Sequence, residues 1–205
     1  YRARCRRNKC MSNGKGRYFV LECCRDQRQL QSVQRRIQNQ MRGLDATAGK
    51  GRDTALLCRL AGPEGRVLAF DIQPEAVAQT NALLESEGLR ADVHLDSHEN
   101  LLQYVSPSSV DCVVFNFGRL PGGDPKIMTQ AESSLAAIDA ALAALRPGGI
   151  MAVALYYGGE NGYEERDAVL RYLGQLDQRR YTVLECRWSN RRGDPPMPVL
   201  VWKEG

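Results

Sequence analysis

From Arg42 onward the chain alternates compact apolar runs with helix-length segments, each break marked by Gly or Pro. Strand signals fall at Gly43–Thr47, Arg66–Phe70 (RVLAF), Ala91–Leu95, Val110–Phe115 (VDCVVF), Ile150–Tyr156, Tyr181–Trp188 and Pro198–Trp202. Helix signals lie between them at Arg52–Leu60, Pro74–Glu87, His98–Tyr104, Ala131–Leu145 and Tyr163–Leu176. Pro74 suits a first helical turn, Gly88 suits a stop, and the alanine-rich helix ends at Arg146-Pro147-Gly148-Gly149. Strands that alternate with helices at this spacing build parallel βαβ units. The expected fold is therefore α/β and Rossmann-like, with a seven-stranded, mostly parallel sheet and helices on both faces.

Residues 1–41 have a different texture. Leu30, Val33, Ile37 and Met41 place one thin apolar stripe on a helix over residues 26–41, among Gln and Arg. The first 42 residues carry a balance of +10, with 12 Lys/Arg against Glu22 and Asp26, while the rest carries −6. Such an arm reads either as a phosphate-binding element or as a solvated, disordered leader. The domain boundary is placed here, with an extension over 1–41 and one domain over 42–205. No apolar run reaches membrane-span length, and no secretory pattern opens the chain, so no membrane partner is expected. Seven cysteines without an export signal read as reduced thiols in the cytoplasm. Cys5, Cys10, Cys23 and Cys24 lack metal-ligand spacing, and Cys58, Cys112 and Cys186 sit in apolar segments, so no metal is expected.

Three segments carry chemistry. The first is Asp45-Ala46-Thr47-Ala48-Gly49-Lys50-Gly51-Arg52-Asp53-Thr54, at a strand-to-helix turn. Glycines there allow close backbone approach to a ligand, beside the free N–H groups of a helix start. A dinucleotide fingerprint wants a third glycine where Thr54 stands, and Asp45 suits a cation better than a pyrophosphate. S-adenosylmethionine (SAM), with its ammonium and sulfonium charges, fits that pattern; a tight turn alone is the plainer reading. The second is Asp71, at the end of RVLAF, where a carboxylate can accept both hydroxyls of a ribose or simply cap the next helix. The third is Asn116-Phe117-Gly118-Arg119-Leu120-Pro121-Gly122-Gly123-Asp124, directly after VDCVVF. The Asn116 carbonyl there can accept an N–H from a substrate amine. Ser97-His98 and Tyr156-Tyr157 follow the third and fifth strands and face the same edge, as adenine contacts and base-stacking rings respectively, or as ordinary packing.

The stretches DATAGKGRDT, AFDIQPEAV, SHENL, FNFGRLPGGD, ERDAVLRYLGQLD and DPPMPVLVWKE, in this order over about residues 44–204, resemble the YtqB/MnmM family of RNA methylases. The resemblance implies a class I SAM-dependent methyltransferase that acts on the exocyclic amine of 5-aminomethyl-(2-thio)uridine at the wobble position of tRNA. It implies SAM contacts at Asp45, Ala46, Thr47, Gly49, Gly51, Asp53, Thr54, Asp71, Ile72, Gln73, Ser97, His98, Asn116, Gly118 and Leu120. Asn116, Asp124 and Tyr156 are the catalytic candidates. Arg119, Pro121, Gly122, Gly123, Tyr157 and Arg191 are the substrate candidates, with Lys126 and Arg192 beside them. The expected partner is the tRNA anticodon loop, bound by a monomer or homodimer.

Lys50 stands where the family usually has Asn, and Tyr157 and Gly159 stand where it usually has His. Residues 1–41 do not resemble the family's N-terminal helix, and their composition suits a frame-shifted leader joined at about Arg42. The alternatives are a methyltransferase of rRNA or a small amine, and an impaired RNA-binding homologue.

Overall fold

The computed structural model describes residues 41–118, 129–157 and 162–205. Its elements are β1 (Arg42–Asp45), α1 (Arg52–Ala61), β2 (Arg66–Asp71), α2 (Pro74–Ser86), β3 (Asp92–Leu95), a 3-10 helix (His98–Gln103), β4 (Val110–Phe117), α3 (Ala131–Ala144), β5 (Leu145–Leu155), α4 (Gly162–Gly174), β6 (Tyr181–Glu185) and β7 (Met197–Lys203). The sheet has seven strands in the order β3-β2-β1-β4-β5-β7-β6. The strands run parallel except for β7, which is antiparallel to both β5 and β6. The expected α/β architecture is the one observed. The helix read over 26–41 lies outside the described residues apart from its last member, Met41.

Alternation along the central strands decides which side chains meet which helices. In β4, Val113, Phe115 and Phe117 join one apolar cluster with α3 and α4, while Cys112 and Val114 join another with α1 and α2. In β1, Leu44 faces the α3 side. By the same period of two, Asp45 and Asn116 project toward α1. The buried face of α1 is Thr54, Ala55, Leu57, Cys58 and Ala61, at helical spacing. Next to the edge strand β6, Lys203 of β7 donates from Nζ to the carbonyls of Leu142 (2.8 Å) and Leu145 (2.6 Å). That bond caps the C-terminal end of α3, where a cation is favoured.

Several boundaries differ from the sequence reading. β5 begins at Leu145 rather than Ile150, because Val110 pairs Leu145 and Cys112 pairs Ile150. Residues 146–149 bulge out opposite the single residue Asp111, and Arg146 forms an ion pair with that carboxylate. Short-range patterns do not show such pairing across strands. The short helix after β3 is a 3-10 helix that ends at Gln103, one residue before Tyr104, with Ser97 accepting the Glu99 N–H at its start. β6 stops at Glu185, three residues before Trp188.

Gly51 sets the turn into α1. Its φ is +77°, and a Cβ there would lie 2.8 Å from the Cα of Thr80, a buried residue of α2. Gly88 has a similar φ of +65° but nothing within 4 Å. Gly51→Ala is expected to lower unfolding free energy by about 2–4 kcal/mol, and Gly88→Ala by about 1–2 kcal/mol. Urea titrations of the two variants check the difference, which is the cost of the clash.

Candidate active site

The sheet order reverses between β1 and β4, and a crevice of about 350 Å³ opens at their carboxyl ends. Open α/β sheets bind ligands at this point, and the volume lies at the lower end of the small-molecule range.

The first turn of α1 ties the ends of both strands together. Thr54 donates from its hydroxyl to Asp45 Oδ2 at 2.6 Å, and the Thr47 N–H donates to Asp45 Oδ1 at 3.1 Å. Asn116 donates its backbone N–H to the Thr47 hydroxyl oxygen at 2.7 Å, and its Nδ2 to Asp53 Oδ2 at 2.7 Å. A carboxylate can only accept, so Asp53 fixes which end of the Asn116 amide it meets. The Asn116 Oδ1 is thereby oriented as an acceptor on the crevice wall.

A second wall comes from the ends of β2 and β3. Asp71 accepts the Gly49 N–H on Oδ2 and the Gln73 N–H on Oδ1, both at 2.9 Å. Each oxygen keeps a lone pair for a further donor. Ile72 is 58% exposed, so this wall offers an apolar face beside the carboxylate. Asp96 accepts from the Ser97 N–H (2.7 Å), Asn100 Nδ2 (2.8 Å) and the Tyr104 hydroxyl (2.6 Å), and these bonds, Tyr104's foremost, hold its carboxyl below the usual range. His98 sits edge-on to Phe117 at 5.9 Å, and burial lowers its pKa against the opposing pull of the Ala46 backbone.

The third wall comes from a clasp. The Gly118 N–H donates to Thr129 Oγ1 at 2.8 Å, and the Thr129 N–H donates to the Gly118 carbonyl at 2.9 Å. It brings Thr129, Gln130 and Ser133, at the start of α3, to the crevice beside Tyr156.

Of the residues singled out in the sequence, Ala46, Thr47, Gly49, Asp53, Asp71, Ile72, Gln73, Ser97, His98, Asn116, Gly118 and Tyr156 line the crevice. Asp45, Gly51 and Thr54 do not: they are buried behind it, Asp45 and Thr54 at 0% exposure. Proximity to the glycine loop suggested ligand contact, but alternation and helix phase turn these groups inward. Tyr157 and Arg191 lie away from the crevice, Tyr157 under the Arg166 guanidinium and Arg191 over the Trp188 ring. Arg119, Leu120, Pro121, Gly122, Gly123, Asp124, Lys126 and Gly159 lie outside the described residues. The sequence reading missed Ala48, Lys50, Arg52, Phe70, Asp96, Thr129, Gln130 and Ser133 as lining residues. The first three sit inside the loop already marked and Asp96 adjoins Ser97, whereas the Thr129 to Ser133 group had no signal before the clasp was seen.

Two acidic side chains share this region. Burial, reinforced by repulsion from Asp53, raises the Asp45 pKa from 3.8 to about 7. Burial also raises that of Asp53, with the Asn116 hydrogen bond opposing it. A folded-state pKa above the unfolded value means that the native state binds the extra proton. The stability it contributes is complete below about pH 4 and is lost as pH rises through about 7. The advantage of wild type over Asp45→Asn should therefore shrink between pH 5 and pH 8, by at most about 3 kcal/mol. Urea denaturation at the two pH values checks this.

The "Putative rRNA methylase" family profile matches residues 67–202. A chloroplastic tRNA (mnm(5)s(2)U34)-methyltransferase of Arabidopsis thaliana is 32% identical over 170 residues, covering 78% of the chain and 61% of that protein. The chain thus spans about three fifths of that relative's length. Among solved structures, the "putative rRNA-methylase" from Clostridium thermocellum is 37% identical, with a TM-score of 0.78 over 85% of this chain and 96% of that one. A "putative methyltransferase" from Streptococcus mutans in complex with SAH is 31% identical, with a TM-score of 0.75 over 87% of this chain and 98% of that one. A profile that matches residues 67–202, together with solved structures 37% and 31% identical that share the fold at TM-scores of 0.78 and 0.75, places this chain in the rRNA methylase family.

Proposed function

We propose that this chain transfers the methyl group of SAM to the exocyclic amine of 5-aminomethyl-(2-thio)uridine at the wobble position of tRNA, in the cytoplasm. The observation that carries the reading is the crevice itself, which offers a carboxylate for a sugar, an apolar face and an oriented amide acceptor on adjoining walls. The tRNA methyltransferase of Arabidopsis supports the substrate, and the SAH-bound Streptococcus mutans protein supports the donor.

The residues present fit SAM. Asp71 would take the ribose hydroxyls through its remaining lone pairs, and Ile72 would lie against the adenine. Asp53 and the glycine loop would face the amino-acid end, where a carboxylate suits positive charge. When bound, SAM supplies a methyl group already activated by its sulfonium. The protein therefore works mainly through alignment. Asn116 Oδ1 accepts an N–H of the incoming neutral amine and aims its lone pair into the crevice. Asp53 keeps that oxygen in place by holding Nδ2. Tyr156, which also lines the crevice, would accept an N–H of the methylated, positively charged nitrogen on its hydroxyl oxygen, and the surplus proton then passes to solvent. The anticodon loop presents its bases unpaired, so no duplex has to be opened.

Incubation with SAM and hypomodified tRNA, followed by mass spectrometry of the wobble nucleoside, tests the proposal; rRNA and free nucleosides are the parallel arms. Methylation of rRNA alone would replace the tRNA substrate, and absence of SAM binding by calorimetry would leave only an RNA-binding homologue. Asn116→Ala should lower kcat about 100-fold while SAM affinity stays within about threefold. Asp53→Ala should lower kcat comparably, but add little in the Asn116→Ala background. Asp53→Asn, which keeps an acceptor for Nδ2 but no longer fixes which end of the amide it meets, should recover only part of the turnover that Asp53→Ala loses. Additive effects of Asp53→Ala and Asn116→Ala would show that Asp53 does not act through Asn116.

A further inference from the structure

Beside the crevice the described surface carries a second built cluster, and none of its fixed geometry is used in the chemistry above. Tyr157 follows the crevice-lining Tyr156, so the cluster begins one residue from the site. The Tyr157 and Tyr163 rings meet edge to face, with centroids 5.7 Å apart at 62°. The Arg166 guanidinium lies 4.6 Å from the Tyr157 centroid and 5.0 Å from that of Tyr163. The Tyr163 hydroxyl donates to Asp194 Oδ2 at 2.7 Å, which ties α4 to the segment between β6 and β7. That bond raises the Tyr163 pKa, so the phenol remains a neutral donor.

Tyr163 is thus held at its hydroxyl by Asp194 and flanked by Arg166 and Tyr157, yet remains 40% exposed. A large ring that is immobilised without being buried adds little to the core, but it is an efficient anchor. Its ordering cost is met before any partner arrives. The charges nearby are largely neutralised: Arg166 pairs with Asp167 and Arg187 with Glu185, both at 2.7 Å. The cluster therefore offers aromatic surface whose adjoining guanidinium groups, Arg166 and Arg187, already have carboxylate partners. That chemistry suits a stacked nucleobase better than a phosphate run or a lipid headgroup.

We infer that Tyr163, fixed by Arg166, Tyr157 and Asp194, is a stacking platform for an unpaired nucleobase next to the methylated one in an RNA loop. The inference rests on the RNA reading above and adds a second point of contact to it. The platform selects loop RNA over a free nucleoside, because only a chain of nucleotides reaches crevice and ring together.

The test uses the full chain and an anticodon stem-loop RNA with a hypomodified wobble uridine. Fluorescence anisotropy reads RNA affinity, calorimetry reads SAM affinity, and thermal melting reads folding. Tyr163→Leu keeps apolar bulk without a π face and should weaken stem-loop binding about 10-fold, with SAM affinity within about twofold. Tyr163→Phe loses only the Asp194 bond and should stay within about threefold of wild type, and Tyr163→Trp should bind at least as tightly as wild type. Wild-type binding that Tyr163→Leu leaves within about twofold would overturn the platform alone. Wild type that binds SAM but neither binds nor methylates the stem-loop would overturn the RNA reading and the platform with it.

Discussion

The site depends on one short stretch of helix acting as a cross-link. Asp53 and Thr54 are consecutive in the first turn of α1, yet they reach different strands: Thr54 binds Asp45 at the end of β1, and Asp53 binds Asn116 near the end of β4. Thr47 closes the circuit, donating its N–H to Asp45 and accepting the Asn116 N–H. These are the two strands between which the sheet reverses its order, so the same bonds set the width of the crevice. Gly51 permits the arrangement by letting α1 start close against Thr80 of α2.

The electrostatic consequence is that a buried carboxyl stands directly behind the ligand wall. Asp45 is fully buried, and Asp53 is the largest neighbouring charge that raises its pKa. Two acids in one desolvated region repel, and a cation in the crevice relieves that repulsion. An acid at position 45 therefore favours positive charge in the crevice without touching the ligand. Its direct work is mechanical: it holds Thr54 and Thr47, and through Thr47 it supports Asn116.

Much of this was legible in the sequence because it follows from period and punctuation. Apolar strands, glycine turns and an acid at a strand end placed Asp71, Asn116 and the glycine loop at one sheet edge. What was not legible depends on contacts made across long separations. Asp45 and Thr54 sit in the same motif as Gly49 and Lys50, yet only the packed helix shows that the first pair turns inward while the second lines the crevice. Thr129, Gln130 and Ser133 reach the site because Thr129 closes on Gly118, a pairing that no local pattern announces. The early start of β5 has the same cause, since its first residue is fixed by Val110 and its bulge by Asp111.

The positions that depart from the family pattern are not equivalent once placed in space. Lys50 lies on the crevice wall, within the loop whose Gly49 N–H is held by Asp71, so a cation there enters the same field as the ligand. Tyr157 instead lies beneath Arg166 and against Tyr163, outside the crevice. A residue there acts on whatever lies beside the reacting group, whereas one at position 50 acts on what the crevice holds. Sequence distance inverts this relation: Tyr157 adjoins the crevice residue Tyr156, yet the side chains of adjacent residues at a strand end diverge to opposite sides. The alternation that sends Asn116 toward Asp53 is thus also what separates the chemistry of Tyr156 from the recognition surface that begins at Tyr157.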